Sequence, residues 1–249
     1  MSAADKPFAG FGPKALPYLK ALGFHQSRDW FQENRDLYES DLREPLKRLV
    51  ATLSRRFEEE GLPLRGDPKS SIFRINRDIR FSKEKHPYNT HVSAVLTRTG
   101  TKKDIGGVYI HFAPSDLETS FSEQDGSFLA GGAWFPESDV LRAWREDMVA
   151  RPKRFFALED DLAAKGLEFG TDGTSGRLKR LPRGFTDVED ERLQRLLRLK
   201  GFVVNRTVPD EALALPDLVD RIVGFTRDVM PLLDHYWRIG DPVRAAREG

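Results

Sequence analysis

The sequence predicts an α+β protein, in which a mainly antiparallel, meander-like sheet of about five or six strands packs against N-terminal and C-terminal helices. Helical periodicity dominates residues 13–61 and 136–239. Residues 71–135 instead contain short runs rich in β-branched and aromatic side chains. Turns rather than helices separate these runs, and short turns join antiparallel strands but not parallel ones. A sheet that is preceded and followed by helices along the chain is therefore expected.

The N-terminal helices are recognised by the residues at their ends. Pro13 is expected to open a first helix that ends at Gly23, and Ser27 to cap the second helix. The third helix is the clearest, because Pro45 stands in its first turn and Gly61 stands where it should stop. An apolar stripe at helical spacing predicts its buried face, formed by Leu46, Leu49, Val50, Leu53 and Phe57.

The predicted strands are short segments that follow one another closely. Asp125-Gly126 is a hairpin signal before the last segment, and Gly131-Gly132 indicates either a bulge or a close approach to the backbone. Residues 202–204 predict one more strand after the intervening helices. The segments before those helices are 71–75, 92–99, 107–113, 117–121 and 127–134.

The C-terminal half returns to helical periodicity with one interruption. Residues 170–184 are rich in glycine and cations, which predicts a mobile loop that could fold over a basic site. Residues 240–249 are expected to form a flexible tail. Because the chain contains no internal repeat and no linker, we expect one domain over residues 1–249. Three prolines each begin a predicted helix: Pro136, Pro152 and Pro216.

Composition excludes several classes of protein. The 249 residues are 39% apolar and 32% charged, as in an ordinary globular protein, and a net charge of +1 argues against a general nucleic-acid coat. The absence of cysteine excludes disulfides, thiolate metal sites and cysteine catalysis. No run approaches the roughly 20 apolar residues of a membrane span, so we expect a cytoplasmic protein without a membrane partner. The oligomeric state is left open.

Positive charge is concentrated in residues 69–86, which carry six cations and two acids in a chain whose total charge is +1. The segment alternates like a strand, with Phe73 and Ile75 on one face and Arg74 on the other. Arg77 breaks this pattern, because it falls on the apolar face, where an unpaired guanidinium is unfavourable by roughly several kcal/mol. Either the strand ends near Ile75 and a loop follows, or Arg77 points into a polar cavity.

These cations predict a binding site for a phosphate or carboxylate ligand at an end of the sheet. Arginine offers a planar fork that contacts such groups through two hydrogen bonds, and lysine adds a mobile charge. Tyr88 supplies a hydroxyl donor. His91 is a candidate proton carrier, and the alternative is that this histidine has a purely structural role. In the alternative interpretation, these cations are solvated at the protein surface or form structural ion pairs. The predicted ligand-binding residues are Arg74, Arg77, Asp78, Arg80, Lys83, Lys85, Tyr88 and His91.

The familiar signatures of enzymes and of cofactor sites do not occur in the chain. The five histidines show no helical His-x-x-x-His spacing, no serine stands at a nucleophile elbow, and there is no phosphate-binding loop. We therefore expect neither a metal nor a cofactor, and His91 is the one candidate for a catalytic role. A metal site whose ligands come from distant parts of the chain is the alternative that the sequence leaves open.

A long motif runs through the basic segment. It consists of Phe73-Arg74-Ile75, Arg77-Asp78-x-Arg80-Phe81-Ser82-Lys83-Glu84-Lys85-x-Pro87-Tyr88 and Thr90-His91. The motif resembles the core of a widespread microbial family catalogued as domain of unknown function 2461, and the resemblance extends over nearly the whole chain. Two positions depart from the family pattern, since Asn89 stands where lysine is usual and His86 where threonine is usual. The family description implies no activity.

Two hypotheses about function follow. The first is a protein with a pocket for a small anionic ligand. In one form of this hypothesis the protein is an enzyme. It predicts a concave site on which the cations converge. The second is a non-enzymatic interaction module that uses the same basic patch for an acidic protein or a nucleic acid, which predicts a flat or convex patch and strong salt dependence. The near-neutral total charge favours the first.

Overall fold

Strands in the middle of the chain are preceded and followed by helices. The computed structural model describes residues 6–80, 85–104, 106–117, 126–170 and 176–248. Its elements are α1 (Ala15–Phe24), α2 (Arg28–Glu33), α3 (Arg35–Tyr38), a π-helical turn (Glu39–Arg43), α4 (Glu44–Glu59), β1 (Val92–Leu96), β2 (Gly107–Phe112), β3 (Ser127–Ala133), α5 (Ser138–Ala150), α6 (Pro152–Ala164), α7 (Glu191–Leu197), β4 (Phe202–Val208), a 3₁₀ turn (Asp210–Ala214) and α8 (Leu218–Glu248).

The α+β class and the antiparallel sheet are confirmed, but the predicted number of strands is wrong. The described residues form one sheet of four strands in the order β1-β2-β3-β4, in place of five or six. β1 and β2 are antiparallel, with Val92 opposite Phe112 and Leu96 opposite Val108. Neighbours in the sheet follow the order of the chain, as in a meander.

Two of the expected strands account for this difference. Residues 71–75 form no strand, because their pairing with β1 is limited to the isolated bridge between Ile72 and Ala94. Of the strand expected at 117–121, residues 118–121 lie outside the described part of the chain, as does Asp125 of the predicted hairpin turn.

The N-terminal helices begin and end close to the predicted positions. α1 begins at Ala15, two residues after Pro13. The Ser27 side chain caps α2 by accepting a hydrogen bond of 3.2 Å from the backbone amide of Trp30. Gly61, which follows the end of α4, has a φ of +67° that glycine adopts without strain.

The last helix is longer than predicted. Residues 240–249 were expected to be a tail, but α8 continues to Glu248. Ion pairs explain the added length, since Arg247 Nη1 lies 2.9 Å from a carboxylate oxygen of Glu137 and Arg244 Nε lies 3.5 Å from the same oxygen. None of the described helices, α8 included, combines the length and the hydrophobicity that crossing a membrane requires.

The chain divides into two compact units. The first comprises Met1–Asp104, Val108–Leu129 and Thr207–Phe225, and the second comprises Ile105–Gly107, Ala130–Arg206 and Thr226–Gly249. β3, β4 and α8 each begin in one unit and end in the other, so neither unit is a continuous stretch of chain. The single domain expected over residues 1–249 stays a prediction.

In the first unit, α4 packs against β1 through the buried stripe that the sequence predicts. Side chains alternate along a strand, so the paired strands β1 and β2 have two different faces. The opposite pair Ser93 and His111 lies on one face together with Tyr109, and this polar face carries the candidate site. The other face is apolar and consists of Val92, Ala94, Leu96, Val108, Ile110 and Phe112.

In the second unit, an aromatic cluster forms the core. The ring centroid of Trp144 lies 4.3 Å from that of Tyr236 and 4.7 Å from that of Phe202. Gly132 has a φ of +135°, and a Cβ atom at this position would overlap the carbonyl oxygen of Phe202. Close approach of another backbone therefore explains why glycine is required at residue 132.

Candidate functional site

A buried polar cluster lies on the polar face of β1 and β2, within the first unit. His91 directly precedes β1, and its ring centroid is 4.2 Å from that of His111. The Tyr109 hydroxyl is 3.2 Å from Nδ1 of His111 and also hydrogen-bonds with Ser93. Buried polar groups are normally hydrogen-bonded, and the Tyr109 hydroxyl is a hydrogen-bond partner for both Ser93 and His111.

An irregular pairing of extended chain segments places His91 in this cluster. Ile72 forms an antiparallel bridge with Ala94, and Asn76 forms one with Tyr88. The bridges are four residues apart on one side, from 72 to 76, but six apart on the other, from 88 to 94. Two extra residues therefore lie in the stretch that contains His91. A β-bulge has the same effect, and bulges commonly redirect a side chain beside a site.

The cluster opens into a cleft with a volume of about 360 Å³, which we call the His91 cleft. Residues 73–78 form one side of it. Volumes of this size are typical of small-ligand pockets. The cleft is lined by Phe73, Arg74, Asn76, Arg77, Asp78, Asn89, His91, Ser93 and Tyr109.

Positive charge dominates the His91 cleft. Arg74 and Arg77 line it, and neither has an ion-pair partner among the described residues. The Asp78 carboxylate is engaged by Arg80, whose Nε lies 2.9 Å from Oδ1 and whose Nη2 lies 2.6 Å from Oδ2. These contacts with Arg80, reinforced by Arg74, lower the pKa of Asp78, which is therefore ionised at neutral pH. Two guanidinium groups remain available to a ligand.

Both histidines of the cluster are neutral at physiological pH. Burial, reinforced by the Arg77 guanidinium, lowers the pKa of His91 from 6.5 to about 4. Burial and the neighbouring His91 lower the pKa of His111 to about 2. Burial also raises the pKa of Tyr109, so its hydroxyl keeps its proton. An anion bound in the cleft would oppose these effects and raise the pKa of His91.

Four of the eight predicted ligand-binding residues come together in the His91 cleft. Arg80 is not among the lining side chains, although it pairs with Asp78, which is. The four that line the cleft are Arg74, Arg77, Asp78 and His91.

The other predicted residues have different surroundings. Tyr88 is buried, its ring stacks on Phe31 with the centroids 4.4 Å apart, and it lines a separate cleft. Lys85 is exposed, and its Nζ donates a hydrogen bond of 3.0 Å to the carbonyl oxygen of Ile79. Lys83 lies outside the described residues.

Sequence reasoning missed several residues of the site. Asn89, one of the two departures from the family pattern, lines the His91 cleft together with Asn76. Ser93, Tyr109 and His111 were also missed. A signal for them exists, because period-two alternation in residues 107–112 places Tyr109 and His111 on one face. Linking that face to His91 requires the register between two strands, which the sequence does not specify.

The described residues offer no metal centre, since no three histidine, aspartate or glutamate side chains come together among them. The expected loop at 170–184 is described only in part, because residues 171–175 lie outside the described ranges. Closure of this loop over the site stays a prediction.

Comparison with known proteins identifies a family. No curated protein and no solved structure matches the chain. The model of one family, described as "Conserved hypothetical protein (DUF2461)", matches residues 14–235. This match covers most of the chain and every residue of the His91 cleft. The chain therefore belongs to the DUF2461 family of conserved hypothetical proteins.

Proposed function

We propose that the His91 cleft binds a small anionic ligand through Arg74 and Arg77. One observation carries the proposal: both guanidinium groups line a concave cleft and have no ion-pair partner among the residues described. Like charges that face one cleft repel each other, and an anion between them relieves this repulsion. The planar guanidinium forks match the geometry of phosphate and carboxylate groups.

Other side chains of the cleft suit the uncharged part of such a ligand. Asn76, Asn89 and Ser93 bring donors and acceptors into the cleft. Phe73 is 40% exposed and adds an apolar wall, with Lys102 Nζ 4.5 Å from the centre of its ring. A few polar groups that converge on a partly apolar wall are usual for a small-molecule site.

His91 accepts a proton from the bound ligand in this proposal. Its imidazole is neutral before binding, and the ligand's negative charge raises its pKa and so favours the protonated form. Packing against other rings fixes the position of the His91 ring. His91 packs on His111, and His111 stacks on Phe128 with the centroids of these last two rings 4.5 Å apart. A fixed imidazole is what proton transfer to or from a ligand requires.

The interaction module remains the alternative function. It would use exposed cations such as Arg80 and Lys85, which lie outside the cleft, for an acidic protein or a nucleic acid. A concave site and a net charge of only +1 favour the pocket.

Thermal unfolding in phosphate, sulfate, citrate and sugar phosphates tests the proposal, because a ligand that binds the folded protein raises its melting temperature. At least one compact anion should stabilise the wild type. Arg77→Ala should weaken the binding of that anion by about 10- to 100-fold, which corresponds to the loss of one charged hydrogen-bonding group.

Arg55→Ala is the matched control, because it removes the same charge from an exposed position of α4 outside the cleft. This variant should bind the anion as the wild type does. If Arg77→Ala binds as tightly as the control, the pocket proposal is wrong. Stabilisation by oligonucleotides or acidic proteins alone, lost steeply with added salt, would favour the interaction module.

A further inference from the structure

A second and larger cleft lies in the first unit, beside the segment that lines the His91 cleft. Its volume is about 800 Å³, and we call it the Tyr88 cleft after one of its lining residues. Phe73, Arg74 and Asn76 line both clefts, so the segment that carries them forms a shared wall. The two clefts are neighbours, but most of their lining residues differ.

Cations dominate the lining of the Tyr88 cleft, where Glu39 provides the one carboxylate among the described lining residues. Arg43 Nη1 lies 2.9 Å from Oε1 of Glu39, and Arg35 Nε lies 3.8 Å from the same oxygen, so two guanidinium groups share one carboxylate. The six lining cations are Arg28, Arg35, Arg43, Lys47, Lys69 and Arg74.

Half of these cations form no ion pair with a described residue. Lys47 Nζ lies 2.5 Å from a carboxylate oxygen of Glu44. Arg28, Lys69 and Arg74 have no ion-pair partner in the described part of the chain. Positive charges collected in a concave site focus the electrostatic field and attract anions, more strongly than the same charges on a flat surface.

The backbone that presents part of this charge is unusual. Glu39 and Arg43 are the first and last residues of the π-helical turn between α3 and α4. A π-helical turn is rare, and such turns often occur at functional sites. Because it adds a residue to the helical turn, it changes the direction in which the side chains around it point.

The Tyr88 cleft also has an aromatic floor with low polarity. Phe31, Tyr38 and Tyr88 line it, and all three are buried. Burial raises the pKa of Tyr38 to about 12, so this phenol keeps its proton. The buried Tyr18 hydroxyl lies near Tyr38 and Tyr88 and has no hydrogen-bond partner among the described residues. A floor of this kind reduces solvent screening and strengthens contacts with charged ligands.

We propose that the Tyr88 cleft is a second binding site, which takes a small polyanion with at least two phosphate groups, such as pyrophosphate or a nucleoside diphosphate. Three cations that form no ion pair with a described residue, collected in one concave site, match several negative charges on one ligand. The volume of 800 Å³ accommodates a larger molecule than the His91 cleft does. The site does not depend on the function proposed for the His91 cleft.

Isothermal titration of the full chain with pyrophosphate and with a nucleoside diphosphate tests the site. The wild type should bind at least one of these probes. The double variant Arg28→Ala/Lys69→Ala should weaken that binding by at least about tenfold, since both cations line this cleft and not the other. Arg77→Ala, which changes only the His91 cleft, should bind the probe as the wild type does.

The double variant Arg55→Ala/Lys153→Ala is the control for the loss of two positive charges, because both residues are exposed and line neither cleft. It should bind as the wild type does. The second site is wrong if the wild type binds neither probe, or if Arg28→Ala/Lys69→Ala binds as tightly as this control. Binding that is lost in Arg77→Ala but kept in Arg28→Ala/Lys69→Ala would place the ligand in the His91 cleft instead.

Discussion

His91 in the first unit and His235 in the second are both buried histidines, and burial lowers the pKa of each to about 4. Their surroundings differ in one respect. Beside His235, Asp147 compensates part of the positive charge, since it pairs with Arg151 and lies 3.5 Å from Nε2 of His235. Arg154, which also lowers the pKa of His235, has no ion pair among the described residues. Arg238 Nη2 lies 3.1 Å from Nδ1 of the same ring and 3.8 Å from Asp147.

The cations beside His91 have no such partner among the described residues. Arg74 and Arg77 face the His91 cleft, and Asp78, the acid nearest to them in the sequence, is engaged by Arg80. Two histidines with the same pKa therefore indicate different roles. The ion pairs of Asp147 indicate a structural network at His235, whereas two arginines without a described ion-pair partner support the binding site that we propose at His91. A lowered pKa alone does not distinguish these roles.

The largest effect is expected from removing the compensating charge at His235. Asp147→Asn should lower the free energy of unfolding by roughly 2–4 kcal/mol, because it leaves two arginines without their buried carboxylate. Urea unfolding measures this change. Asp139→Asn is the control on the same helix, since its carboxylate pairs with Arg247 at the surface and its loss should leave the urea midpoint nearly unchanged. If Asp147→Asn is as stable as the control, the His235 network is not structural.

A smaller effect is expected from removing a cation of the His91 cleft. Arg77→Ala should change the free energy of unfolding by no more than about 1 kcal/mol in the absence of ligand, because no ion pair with a described residue is lost. Urea unfolding in a buffer without phosphate measures this change in the free energy of unfolding. A loss above about 2 kcal/mol would show that Arg77 is a structural residue, and the contrast with His235 would disappear.

The smallest effect concerns the titration of the two rings. Phosphate should raise the pKa of His91 by about one unit, because the bound anion favours the charged imidazole, and it should leave the pKa of His235 unchanged. Nuclear magnetic resonance of the two imidazole rings, with and without phosphate, measures both values. An equal rise at His235 would mean that the cavity beside it, which Arg154 and Arg238 line, also binds anions.

The same two histidines make the fold sensitive to acid. Their pKa values in the folded protein lie below the ordinary value of 6.5, so the unfolded chain takes up these protons first as the pH falls. The stability that their neutral state contributes is therefore complete above about pH 6.5. It is lost as the pH falls towards about 4.

Features of the fold that depend on neighbours in the chain could be predicted from the sequence. The stripe from Leu46 to Phe57, Pro45 in the first turn and the cap at Ser27 all lie where local signals place them. The strand expected at 71–75 is absent because strand formation depends on regular pairing with β1, and two extra residues in the opposite stretch interrupt that pairing.

The candidate site could be predicted only in part for the same reason. Arg77 was singled out because its charge interrupts an apolar alternation, and it lines the His91 cleft. Tyr88 was expected to offer its hydroxyl to the same ligand, but its ring packs on Phe31, which lies far away in the sequence. Tyr109 and His111 join His91 only through the pairing of β2 with β1. Such contacts between distant residues leave no local signal.

Arg74 lines both clefts, and this has a consequence for how they would work together. Anions bound at the same time would compete for one guanidinium, so occupancy of either cleft would weaken binding in the other. Linkage requires the same coupling free energy in both directions. Titrating pyrophosphate at rising phosphate concentrations measures this antagonism, and Arg74→Ala should abolish it. Through one shared side chain, the protein would respond to the ratio of two anions rather than to the concentration of either.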